Sequence, residues 1–226
     1  MKLFLHLAAI ASLAISTQAA SIVFSAGLTR NGLDENGGDD LDVGNLVRVG
    51  FFALSDSQIV ANQTNYSFLL ANFREFDNGV IGAGVGNTDG HFSGELTNNN
   101  ASDVAFLAGK QVYIWTLFST DISSEASAIA SATQHSILYL PFANDADWSF
   151  PDDLTPGRAP SLRDLTVGGL GDSLSSDSRV LVGSFGPGTS AVSGKPNFQL
   201  APIPEPSTAL LAGLGLLGLA TRRRRS

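Results

Sequence analysis

Short runs of β-branched and aromatic residues, broken about every ten residues by clusters of Gly, Asn, Ser, Thr and Asp, constrain this chain most. The runs suit a pleated, half-buried surface, and the breaking residues suit turns. Strands are predicted most strongly over 46–53, 111–119 and 179–185, and more weakly over 21–26, 80–85, 92–97, 136–140 and 161–167. Alternation places Tyr113, Trp115 and Leu117 on one face and Val112, Ile114 and Thr116 on the other. Both faces are largely apolar, which marks a central strand. Only 56–76 departs from this pattern. There Ile59, Val60, Phe68, Leu69, Leu70, Phe73 and Phe76 follow a spacing nearer 3.6 than 2, predicting one or two short helices. Composition makes 168–178 and 186–196 loops, and 196–202 reads as a linker. The expected class is all-β, two antiparallel sheets in a β-sandwich or jelly-roll-like arrangement with one or two short helices.

The two ends differ from this body. Lys2 precedes an apolar stretch from Leu3 to Ile15, and Thr17-Gln18-Ala19 places small residues where a signal peptidase reads them. Cleavage is expected after Ala19, with Ala20 the next choice, so 1–19 is read as a signal peptide. At the other end Pro204-Glu205-Pro206-Ser207 leads into twelve residues of Ala, Leu and Gly only, 209–220, and then Arg222, Arg223, Arg224 and Arg225. As a helix those twelve residues reach ~18 Å, short of the ~30 Å hydrocarbon core. The segment enters a membrane but spans it poorly. The arginines snorkel to headgroups and hold the C-terminus inside, which leaves everything before Pro204 outside. The two prolines keep Glu205 out of any helix and exposed at the outer surface.

Motif, short apolar segment and basic end, in that order, resemble the PEP-CTERM sorting signal. The resemblance implies export by a Gram-negative bacterium and processing at the inner membrane by an exosortase, with Pro204, Glu205 and Pro206 as the recognition element. Ile203 stands where Val is commonest in that motif. The domain plan is therefore a signal peptide over 1–19, an exported β domain over 20–196, a linker over 197–203 and a short transmembrane sorting helix within 204–226. The phrases at 47–52, 90–94, 109–115 and 148–151 resemble uncharacterised PEP-CTERM proteins of bacteria such as the Verrucomicrobia. That likeness implies a secreted β domain and carries no catalytic residues across.

Loss of both ends would change the charge. Five of the 13 basic residues lie in them, so residues 20–206 keep eight against 21 acidic residues, a net charge of −13. Such a surface repels phosphate backbones, which excludes nucleic-acid functions. The chain contains no Cys, so an exported domain must be held by burial, hydrogen bonds or bound ions rather than disulfides, and thiol chemistry is excluded.

Asp34, Asn36, Asp39, Asp40 and Asp42, with Glu35 and three glycines, form the densest acidic segment. Hard cations such as Ca²⁺ take six to eight oxygens on a flexible backbone, and this segment supplies both. An EF-hand is excluded because its obligatory sixth-position glycine would fall on Asp39. A solvated turn between strands is the first reading, and a non-standard calcium loop is the alternative.

For catalysis the chain offers His91, His135, Glu75, Glu95, Glu125 and the pair Asp152 and Asp153. Glycoside hydrolysis needs two carboxylates across a cleft, and a chain this acidic contains many pairs. Gly-x-Ser-x-Gly, His-Glu-x-x-His and Gly-x-x-x-x-Gly-Lys are all absent. Gly82-Ala83-Gly84-Val85-Gly86 reads as a strand in close backbone contact rather than a nucleotide loop. Trp148, preceded by Asp147 and followed closely by Pro151, is the better candidate than Trp115 for an exposed sugar platform, although packing is the first reading for both. The expected function is a structural or adhesive role in the cell envelope or extracellular matrix, without catalysis. The alternative is a carbohydrate-binding or glycan-active protein, with extracellular polysaccharide as the partner.

Overall fold

A computed structural model describes residues 20–26, 28, 32–98, 100–139, 148–150, 179–189 and 196–204. The predicted strand over 161–167, the loop over 168–178, the signal peptide and the tail from Glu205 onward lie outside the described residues. In chain order the elements are β1 (Ala20–Ala26), β2 (Leu33–Asp34), β3 (Leu46–Phe52), α1 (Asp56–Ala61), α2 (Tyr66–Ala71), β4 (Phe73–Val80), β5 (Phe92–Asn98) and α3 (Ala101–Leu107). Then follow β6 (Tyr113–Ser119), α4 (Glu125–Ala130), β7 (Ala132–Tyr139), β8 (Arg179–Val182), β9 (Ser184–Thr189), β10 (Pro196–Gln199) and β11 (Ala201–Pro202).

The described chain is mostly β-sheet with a few short helices, so the all-β class stands. Its strands divide among three sheets, not two. The largest runs β11-β7-β6-β3-β4, with β8 also paired to β7, and every pair in it is antiparallel. β6 is central, as its two apolar faces predict. β1 and β5 form an antiparallel pair. β10 lies antiparallel to β9 and parallel to β2. One apolar core joins these sheets, drawing Ile22 and Phe24 from β1, Val47 and Val49 from β3, and Phe198 from β10.

Aromatic residues tie α1 and α2 to one face of the main sheet. Trp115 packs on Phe52, Phe73 and Tyr66 at centroid separations of 5.2, 5.1 and 5.6 Å. The Arg48 guanidinium lies over the Phe73 and Trp115 rings, at 4.8 and 5.2 Å, while pairing with Glu75. Burying a guanidinium demands such a partner, because an unpaired charge inside a core costs several kcal/mol, on the order of 3–5. Asp56, in the first turn of α1, accepts hydrogen bonds from the Tyr113 and Tyr139 hydroxyls and so fastens that helix to β6 and β7. Burial, reinforced by this carboxylate, holds the Tyr113 phenol well above its usual range.

Five expectations need correction. Residues 186–189, read as part of a loop, belong to β9, which pairs with β10. Residues 73–76 belong to β4, because pairing with β3 outweighs the local apolar spacing. Helices α3 and α4 escape a periodicity reading because they are short, yet both carry caps: Asn100 accepts from the Ser102 and Asp103 amides, and Ser124 from the Ser127 amide. Residues 81–86 form turns rather than a strand, since Gly82, Gly84 and Gly86 adopt φ of 88°, 66° and 71°. The close backbone contact expected there is present, as a Cβ on Gly84 would run into the Ser93 carbonyl oxygen. Finally, the segment read as a linker is part of the fold: 196–199 and 201–202 are β10 and β11, and Asn197, Phe198 and Leu200 are buried.

Candidate functional site

The acidic segment folds as a tight turn. Asp34 and Asp40 face each other in a bridge, the Glu35 amide donates to the Asp39 carbonyl at 2.9 Å, and the Asn36 amide donates to Gln134 Oε1 of β7 at 2.6 Å. Asn36, Asp39 and Asp42 are exposed, Asp40 is half-buried, and Asp34 is buried. The ligand set read from the sequence is therefore split between solvent and interior. Among the described residues, no group of three or more His, Asp or Glu is arranged to hold a metal.

The side-chain amide of Asn197 lies between the two inward carboxylates. Asn197 Nδ2 donates to Asp34 Oδ1 and, at 2.9 Å, to Asp40 Oδ1, while its Oδ1 accepts from the Gly32 amide at 2.7 Å. An amide has two N–H hydrogens, one for each carboxylate, so it serves where a cation would otherwise be needed. Burial raises the Asp34 carboxyl to about 6, with the Asp40 and Asp39 carboxylates adding to the rise and the Asn197 donor opposing it. Burial also raises Glu35, helped by Asp42 and Asp39. This node joins the start of the domain to its last strands.

The other candidate groups are committed to packing. His135 is buried, with Nδ1 3.2 Å from Trp115 Nε1 and Nε2 2.8 Å from the Gln63 carbonyl oxygen. An indole N–H only donates, so Nδ1 accepts and the proton sits on Nε2. Burial lowers this imidazole to about 4, with the Gln63 carbonyl opposing the shift. His91 is buried and its Nδ1 lies 3.0 Å from the Ala26 carbonyl oxygen. Glu75 is held by Arg48 and by Asn78 Nδ2, whereas Glu95 and Glu125 are exposed on separate elements. Trp148 is fully buried, so it offers no sugar platform; its carbonyl accepts from the Val112 amide instead. Asp152 and Asp153 lie outside the described residues.

A further feature is a groove of about 740 Å³ walled by 64–67, 130–133, Ile203 and Pro204. Its rim carries hydroxyls from Thr64, Ser67, Ser131 and Thr133 and, among the described residues, no charged side chain. The two residues after β11 form one wall, held there by its pairing: Ala201 pairs with His135, Pro202 with Gln134, and the Ile203 amide donates to the Thr133 carbonyl at 2.7 Å. The Tyr66 hydroxyl donates to the Ile129 carbonyl at 3.0 Å, which ties α2 to α4. Burial, partly offset by Arg48, raises that phenol to about 12. Sequence reasoning missed this groove because it assigned its tail-side wall to a linker. The alternation of buried Phe198 and Leu200 with half-buried Gln199 was the available signal.

No helix among the described residues is long and apolar enough to cross a membrane, and the apolar segment after Thr208 lies outside them. Glu205, Pro206, the four terminal arginines and Ala19 also lie outside; Ala20 begins β1 and Pro204 is the last described residue. Comparison with known proteins finds no match among curated proteins and none among solved structures. Residues 202–225 match the PEP-CTERM protein-sorting motif, which marks the chain as a target of exosortase, exported to the cell envelope.

Proposed function

We propose that this is an envelope or extracellular-matrix protein whose folded β domain, freed of its tail by exosortase, plays a structural or adhesive role without catalysis. The observation that carries the reading is the sorting motif at 202–225, which starts on the domain's own edge strand. On this route a signal peptidase removes the leader after Ala19 or Ala20. The tail then holds the chain briefly in the inner membrane before release to the cell surface or matrix. Absence of turnover is supported by how the candidate acids and bases are engaged: a general base must reach a substrate proton, yet both nitrogens of His135 face protein groups inside the core. Kinship with Verrucomicrobial proteins rests on the sequence phrases alone.

Two measurements test the reading. Glu205→Ala should leave the tail-bearing form in the membrane fraction, followed by mass spectrometry; unchanged processing and location would remove the sorting interpretation. A glycan array and a polysaccharide-hydrolysis screen on the exported protein should both be negative. Saturable binding would make it a lectin, and product release would make it an enzyme.

A further inference from the structure

We infer that the groove walled by 64–67, 130–133, Ile203 and Pro204 is a second recognition surface for the membrane-embedded processing enzyme, which bears on the folded domain while it reads the tail. This rests on the sorting reading above and extends it from the motif to the domain.

Distance makes the case first. The matched motif starts at residue 202, within β11, and Ile203 is still hydrogen-bonded to Thr133. Glu205 therefore follows the groove wall at Pro204 by a single residue, about 3.8 Å between Cα atoms. A typical protein–protein footprint covers about 800 Å² on each partner, a disc of roughly 16 Å radius. A partner seated on residues 204–206 covers the groove as well. From Pro204 to the apolar segment at Ala209 the chain reaches at most about 18 Å even when fully extended, so the groove also lies near the membrane surface where this enzyme works.

The enzyme could avoid the domain only by peeling the last strands away, and the packing opposes that. Peeling β10 and β11 exposes the apolar side chains of Phe198 and Leu200, both buried in the core. It also leaves the Gly32 amide and the buried Asp34 carboxylate without the Asn197 side chain. The groove suits the alternative: among the described residues its lining is uncharged within a strongly acidic domain, and its hydroxyls and the side chains of Tyr66 and Ile203 fit a neutral loop with one apolar residue and a few polar backbone groups.

The test follows tail removal from the full chain in its exporting cell, by pulse-chase and mass spectrometry. Thr64→Trp and Ser67→Trp, both at exposed positions, fill the groove; a ten-residue Gly-Ser insert between Ile203 and Pro204 parts the Pro204-Glu205-Pro206 element from the groove and takes Pro204 out of its wall. The filled groove should slow processing at least fivefold with secretion unchanged, and the same substitutions should have no effect in the chain carrying the insert. Wild-type rates for the filled groove, with Glu205→Ala still blocking processing, overturn this inference alone. Loss of the Glu205→Ala effect overturns the sorting reading itself. Equal slowing with and without the insert marks a general folding defect and also overturns the inference. Phe198→Ala, which loosens β10, should leave the rate unchanged or lower; faster processing would show that the strands peel. Filled-groove variants that process normally but lose self-association or vesicle binding would assign the groove to a second copy or to lipid, against the proposal.

Discussion

Acidification should destabilise this domain through one buried imidazole. His135 has an ordinary value near 6.5 when unfolded and about 4 when folded, because charging it desolvates a cation and sets a proton against the Trp115 N–H that Nδ1 accepts. The unfolded chain therefore binds more protons between those values, so stability is fully present above the unfolded value and falls as pH drops toward the folded one. Each step of one pH across which only the unfolded chain holds the proton removes about 1.4 kcal/mol, so the loss is about 2 kcal/mol by about pH 5 and about 3 kcal/mol by about pH 4. Asp34 acts in the opposite sense. Its folded value of about 6 lies above the ordinary value of 3.8, so its contribution is present at low pH and fades as pH rises through 6. The two slopes oppose each other in one window, so the total curve is nearly flat and uninformative. The difference between wild type and His135→Gln isolates the imidazole. Urea midpoints of the exported protein, measured from neutral pH to about 4, should show the variant gaining about 3 kcal/mol relative to wild type over that range. Parallel curves for the two proteins would refute the buried, neutral assignment.

Three further outcomes follow from the node and its neighbours. Asn197→Ala removes three hydrogen bonds and leaves a buried carboxylate and a buried amide unpaired; at about 1–3 kcal/mol for each orphan it should cost about 3 kcal/mol or more in urea denaturation, and a loss under about 1 kcal/mol would contradict the geometry. Gly183, at φ 96° between β8 and β9, has no room for a Cβ, which would run into the Gln199 carbonyl oxygen; Gly183→Ala should lower stability by about 2–4 kcal/mol in the same assay. Because the Asn197 amide fills the space between Asp34 and Asp40, millimolar Ca²⁺ should leave the melting temperature of the exported protein unchanged, and a clear rise in calorimetry would mark the acidic turn as a calcium site.

Strands with strong alternation or paired apolar faces were legible in the sequence. Residues 46–52 and 113–119 lie within a single sheet of long antiparallel partners, where local pattern and tertiary demand agree. Residues 81–86 misled because the same glycines that permit close approach also permit left-handed turns, and only the partner strand decides which occurs. For Trp148 packing was the first reading and exposure the alternative suggested by its acidic neighbours; the indole is fully buried, because flanking charges say little about where a core has room. The node was the least legible part. Asp34, Asp40 and Asn197 are separated by up to 163 residues, and no local pattern links an acidic turn to an asparagine near the tail. The tail itself is the reverse case: its order of proline, acid, apolar segment and arginine is read directly along the chain, and the motif match at 202–225 agrees with it.

The parallel pairing of β10 with β2 also bears on timing. The contact from Gly32 to Asn197 closes a loop 165 residues apart, and such long-range pairings form late because the chain entropy is lost before any contact compensates. None of the hydrogen bonds made by Asn197 can exist until nearly everything before Pro204 has been synthesised. The growing polypeptide thus lacks this clasp until its synthesis is nearly complete. Its closing strands arrive only when the sorting motif does, so maturation of the fold and presentation of the tail fall in the same moment.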